Sequence, residues 1–138
     1  MTRSEAHALR HVAGECAGLV SNQFGVTLDW SLESLTALDA VCASLLADGP
    51  LNGPRLDLWW KLVGAYTGEV VIRAYGAAWA THDQAPGAFA IEALGITGFP
   101  FALANRILTG EPFKSLASFA RTLPALAERS QRSPRDQS

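Results

Sequence analysis

Two glycines four residues apart, inside a long apolar run, constrain this chain most. The run Leu56–Trp79 reads Leu-Asp-Leu-Trp-Trp-Lys-Leu-Val-Gly-Ala-Tyr-Thr-Gly-Glu-Val-Val-Ile-Arg-Ala-Tyr-Gly-Ala-Ala-Trp. Trp59, Leu62/Val63, Tyr66, Val70 and Ala74 recur at helical spacing and form one stripe. Trp60, Gly64, Gly68, Val71/Ile72 and Tyr75 form a second stripe about a third of a turn away. A helix with apolar or small residues on two faces is packed on both sides. Gly64 and Gly68 each cost roughly 1 kcal/mol of helix propensity against Ala. Their spacing therefore predicts close approach of another backbone.

The remaining elements are ordered around this helix. Ser4–Ser21 is amphipathic, with Val12, Cys16, Leu19 and Val20 on one face and Gly25 as a stop. Val26–Leu28 is a short strand or an extended lead-in. Ser31 is placed to cap a second helix that runs to about Ala47, with Glu33 in its first turn and Leu35, Leu38, Val41/Cys42 and Leu45 buried. Asp48-Gly49-Pro50 and Asn52-Gly53-Pro54 break the chain before the central helix, which should stop at Gly76. Ala77–His82 and Ala88–Leu94 read as a hairpin around Asp83–Gly87, and Ile96 begins a third short strand. Pro100 suits a first helical position before Phe101–Thr109. Ser115–Glu128 closes the fold as a helix that Pro124 kinks or splits. Residues 130–138 read as a disordered polar tail. The fold class expected is α+β: helices packed on a short antiparallel hairpin or small sheet, in the order α-(β)-α-α-β-β-(β)-α-α, with residues 1–129 as one domain.

Composition narrows the function classes. A net charge of −2 gives no electrostatic case for nucleic acid. The longest apolar run, Leu56–Ala80, is interrupted by Asp57, Lys61, Glu69 and Arg73, so no membrane span is expected. Met1–Ala8 carries Arg3, Glu5 and His7 and does not read as a signal peptide. Cys16 and Cys42 read as two free buried thiols in a reducing compartment. A cytoplasmic protein is the resulting expectation.

Several segments together carry a resemblance. Ser31-Leu32-Glu33-Ser34-Leu35-Thr36-Ala37-Leu38-Asp39 is followed by Gly64-Ala65-Tyr66-Thr67-Gly68-Glu69-Val70 with Arg73, Gly76 and Trp79. Phe99-Pro100 then precedes Arg106 and Gly110-Glu111. This set resembles a family of small uncharacterised bacterial domains of actinobacterial type, over roughly residues 28–119. The resemblance implies a helix–hairpin–helix layout and no assigned activity. The hairpin here is shorter and richer in Ala than the family pattern.

Three groups of residues are chemical candidates. Asp39, Glu69, Arg73 and Arg106 lie on three helices near apolar stripes and are expected to form a structural ion-pair network, with Glu69 bound by Arg106 or Arg73. His7, His11 and Glu15 stack on one helical face, the only metal-like spacing in the chain; no metal and no cofactor is expected. Leu58, Trp59, Trp60, Phe99, Phe101 and Phe113 supply an apolar surplus that reads as an interface. Adjacent Trp59 and Trp60 point about 100° apart, so either the helix is sandwiched or one ring faces a partner. No nucleophile elbow or phosphate loop is present. The expected function is a non-enzymatic cytosolic binding or adaptor domain contacting a protein partner or a second copy of itself. The alternative is a hydrolase or metal-dependent enzyme using Glu69 with Asp39, or the His7/His11/Glu15 face.

Overall fold

The structure, a computed structural model, describes residues 2–81 and 89–136, the side chains of 130–136 excepted. It is α+β: helices packed on a small antiparallel sheet, in the order α1 (Arg3–Phe24), α2 (Leu32–Leu45), a 3-10 turn (Leu46–Asp48), α3 (Gly53–Tyr75), β1 (Ala78–Thr81), β2 (Phe89–Ala93), β3 (Ile96–Gly98), α4 (Pro100–Leu108) and α5 (Leu116–Asp136). The sheet order is β1-β2-β3, with Trp79 opposite Ile91 and Ile91 opposite Gly98. Val26–Leu28 forms no strand and lies in the connection between α1 and α2. The hairpin turn Asp83–Gly87, with His82, lies outside the described residues.

Local chemistry sets the helix ends. Thr2 and Glu5 form a reciprocal capping box at the start of α1, and Gly25 ends it in the left-handed conformation. The Ser31 side chain accepts from the Ser34 N–H at the start of α2. Gly76 closes α3 at φ 69°. α5 runs past Glu128 to Asp136, so its backbone takes up residues that the sequence assigns to a tail. Glu128, Arg129, Gln131 and Arg132 are good helix formers, which favours continuation.

Pro124 neither ends nor splits α5. Its missing N–H leaves the Ala120 carbonyl without the usual helical donor. The Tyr75 hydroxyl, from the last residue of α3, donates to that carbonyl at 3.0 Å. The freed acceptor is thereby satisfied by a neighbouring element.

α3 is the central helix, buried without interruption from Leu62 to Val71. α1 and α4 make its most extensive contacts, as the two-faced apolar pattern requires. One buried cluster joins Leu9, Cys16 and Val20 of α1, Leu35 and Leu38 of α2, Tyr66 and Val70 of α3, Ile91 of β2, Leu108 of α4 and Leu123 of α5. Gly64 and Gly68 are both close-approach sites, but of different kinds. A Cβ on Gly64 would stand 2.9 Å from the Phe101 Cα and against its ring, so here the α4 backbone is the neighbour. A Cβ on Gly68 would enter the Trp79 indole, so there the neighbour is an aromatic ring and not the backbone that the spacing suggested.

Cys16 and Cys42 are free and buried. Burial pushes both thiols up to about 12, from an ordinary value of 9.0. A thiol held protonated in the folded state and ionised when unfolded stabilises the fold only at low pH. The native protein binds these protons more tightly, so stability falls as pH rises from about 9 to about 12.

Two tests follow from this packing. Gly64→Ala and Gly68→Ala should each lower stability by about 1–3 kcal/mol despite the better helix propensity, because neither Phe101 nor Trp79 has room to retreat. Gly14→Ala and Gly18→Ala, in α1 with nothing within 4 Å of the added carbon, should raise it by about 0.5–1 kcal/mol. Denaturant midpoints at fixed slope distinguish the two pairs. Native protein at pH 8 should resist a thiol reagent that modifies both cysteines at once in denaturant, and replacing both by Ala should flatten the alkaline loss of stability above pH 9.

Candidate functional site

Glu69 is the buried carboxylate on the central helix, with only 3 % exposure. Its Oε2 accepts from the Trp79 indole Nε1 at 2.7 Å. That bond follows from local geometry: Gly76 turns the chain out of α3, β1 brings Trp79 back over Gly68, and Glu69 is the next residue along the helix. Trp79 also stacks on Phe101, with centroids 5.6 Å apart. Oε1 faces Arg10 of α1 at 3.6 Å from Nε, an ion pair longer than a hydrogen bond, and the Arg10 side chain is 62 % exposed. Arg10, Glu69 and Trp79 line a cleft of about 360 Å³, together with Thr2, Arg3 and Ile72.

The expected network of Asp39, Glu69, Arg73 and Arg106 is not assembled. Glu69 does pair with an arginine, but with Arg10 and not with Arg73 or Arg106. The buried face of α4 is Phe101, Ala104, Ile107 and Leu108; Arg106 lies off that face, exposed, and pairs with Glu111 at 4.0 Å. Arg73 sits over the Trp30 ring at 4.2 Å. Asp39, half-buried on α2, serves α5: Oδ1 accepts from Leu116 N at 2.8 Å, and Oδ2 accepts from the Ser115 hydroxyl at 2.8 Å and Ala117 N at 3.2 Å. A carboxylate at a helix N-terminus satisfies donors that the helix itself cannot and complements its dipole. Asp39 and Glu69 bind different partners and line different clefts.

The His7/His11/Glu15 face is solvent-exposed. His11 Nε2 lies 3.3 Å from Glu15 Oε1. Among the described residues, no group of three or more His, Cys, Asp or Glu side chains is arranged to hold a metal ion. No helix among them is long and apolar enough to cross a membrane.

The apolar surplus divides sharply. Trp59 and Phe101 are core residues, at 3 % and 6 % exposure, so they cannot belong to the interface expected of them. Trp59 packs edge-on to Phe24, and Trp60 edge-on to Phe101, with Lys61 over the Trp60 ring. The two indoles are thus held by different neighbours of a sandwiched helix, Trp59 by α1 and Trp60 by α4. Phe99 and Trp60 are half-buried, Leu58 is 50 % exposed, and Phe113 is fully exposed.

One polar chain gave no signal in the sequence. Ser34 Oγ donates to the Ser31 carbonyl at 2.6 Å, which commits its only proton. The hydroxyl of the buried Tyr66 therefore donates to Ser34 Oγ at 2.7 Å and accepts from Trp30 N at 2.9 Å. Burial raises the Tyr66 phenol above its usual range, and the Ser34 and Trp30 bonds pull against that rise. Trp30 has φ 69°, a left-handed conformation unusual for a bulky residue, held by this bond and by Arg73. Only the unexplained aromatic before the Ser31 cap could have drawn attention to it.

No protein-family model, curated protein or solved structure matches this chain. Function therefore has to be read from the residues and their geometry.

The Glu69–Trp79 bond sets a stability expectation. Glu69→Ala strands a buried indole N–H and opens a void, and should cost about 2–4 kcal/mol. Arg10, being exposed, is not stranded, so this loss belongs to the indole. Glu69→Gln keeps an acceptor and should cost about 1 kcal/mol. Trp79→Phe in the Glu69→Gln background should show clear non-additivity in urea unfolding; simple addition would mean that the two side chains are not coupled.

Proposed function

We propose that this protein is a non-enzymatic binding domain, acting in the reducing cytoplasm, whose partner is another protein or a second copy of itself, engaged through Phe113. The observation that carries this reading is the presentation of that ring. Phe113 is 103 % exposed and has φ 62°. A bulky residue in that conformation costs about 1–3 kcal/mol, and an exposed phenyl recovers none of it.

The loop around it is anchored at both ends. On the incoming side, Gly110 N and Glu111 N donate back to the carbonyls of Ile107 and Arg106, and Leu51 N donates to the Leu108 carbonyl. On the outgoing side, Asp39 grips Ser115, Leu116 and Ala117. Glu111 also faces both Arg106 and Lys114. An aromatic side chain on a pre-ordered loop, rimmed by charge, has the character of an interface anchor. The absence of a basic surplus supports a protein partner over nucleic acid, and the two unpaired thiols support a reducing location. The enzymatic alternative has weaker support, because Asp39 and Glu69 are committed to different elements and Asp39 is saturated by α5 donors.

A photo-crosslinking phenylalanine in place of Phe113 tests this in the native host, with the same group at exposed Glu15 as the control. A discrete adduct specific to position 113 is expected, either a second copy of the chain or another protein. With the purified partner, Phe113→Ser should weaken binding by about tenfold or more and leave thermal stability unchanged. Equal affinity of the Phe113→Ser protein would overturn the reading.

A further inference from the structure

The cleft over Glu69 has a different character from the Phe113 loop. At its floor is a buried carboxylate, held by one strong hydrogen bond, from Trp79. Among the described residues, the other oxygen has only a loose ion pair with Arg10, which is itself largely in solvent. At the rim stand two arginines, Arg3 and Arg10, both exposed and both on α1. Ile72 and Ala6 add apolar lining. The volume of about 360 Å³ is at the small end of ligand sites. A buried carboxylate and exposed guanidinium groups therefore line one small cleft, Arg10 Nε standing 3.6 Å from Glu69 Oε1.

From this arrangement we infer that the cleft binds a small zwitterion of the α-amino-acid class, its ammonium donating to Glu69 Oε1 and its carboxylate taken by Arg3 and Arg10. Each end answers a feature of the site. An ammonium reaching Glu69 gives the under-bonded oxygen a charge-assisted hydrogen bond that Arg10 does not make at 3.6 Å. Arg10 is then released to act with Arg3 on the carboxylate, where a guanidinium fork binds two oxygens at once. A simple cation would meet two arginines at the rim, and a simple anion would meet Glu69 at the floor. Only a ligand bearing both charges matches the site throughout. The Trp79 ring, fixed by Gly68, Phe101 and Glu69, keeps the carboxylate in place before the ligand arrives.

The indole N–H of Trp79 reports directly on this site. In nitrogen–proton correlation spectra its resonance, assigned by Trp79→Phe, is followed while each common L-amino acid is added at millimolar concentration. At least one should produce a saturable shift. For that amino acid, the N-acetyl derivative and the methyl ester should each bind about tenfold or more weakly, since each lacks one of the two charges. Glu69→Gln should weaken the amino acid similarly. The exposed substitutions Arg3→Ala and Arg10→Ala should weaken the amino acid and should not weaken its methyl ester, a simple cation that the arginines repel, and they decide the matter even where Glu69→Gln disturbs folding. No saturable shift with any amino acid would overturn the inference, as would equal binding of the N-acetyl form or indifference to loss of both arginines.

Discussion

Trp79 is held on three sides, and the fold depends on that grip. Its benzo ring lies against α3 because Gly68 has no Cβ to exclude it, its Nε1–H donates to Glu69, and its ring stacks on Phe101. Phe101 in turn sits against Gly64, one helical turn from Gly68. A single ring thus ties β1 to the central helix and, through Phe101, to α4. Three strands of three to five residues have little independent stability. Their docking comes largely from this ring and from Ile91 beneath them, with no exposure. The helix propensity given up at the two glycines, about 1 kcal/mol each, is small beside the burial of two aromatic rings.

The two deepest carboxylates are satisfied mainly by neutral donors. Glu69 takes an indole N–H, and Asp39 takes two backbone N–H groups and a hydroxyl. Fixed dipoles of this kind cost no side-chain ordering of a long cation and are weakly screened by salt. The arginines expected to neutralise these acids, Arg73 and Arg106, lie instead at Trp30 and Glu111.

What was legible in the sequence was local. Ser31, Gly25 and Gly76 end their helices through contacts within a few residues, so their roles could be read directly. The two-sided burial of α3 was legible in its paired stripes, and the close approach in its glycines, although not that an indole would fill one of them. The charge partners were not legible, because they depend on how helices are rotated about one another. Glu69 meets Arg10 from 59 positions earlier in the chain and passes over Arg73, only four away. Asp39 reaches an N-terminus 77 residues on, which leaves no trace in either local segment. Leu58 and Trp59 are neighbours with equal claim to a surface role in sequence, yet one is half in solvent and the other is core. The cleft was illegible for the same reason, since Arg3 and Arg10 come to it from another helix.

The bond from Tyr75 to the Ala120 carbonyl makes Pro124 a positional marker. The buried face of α5 is Leu116, Ala117, Ala120, Leu123 and Ala127, alanines set between and beside two fully buried leucines. Proline opens one carbonyl among many closed ones, and the hydroxyl on the end of α3 docks there. Asp39 fixes the start of α5 in the same way, a single turn before. Two polar contacts thus act as a vernier on an apolar face, turning adhesion into alignment.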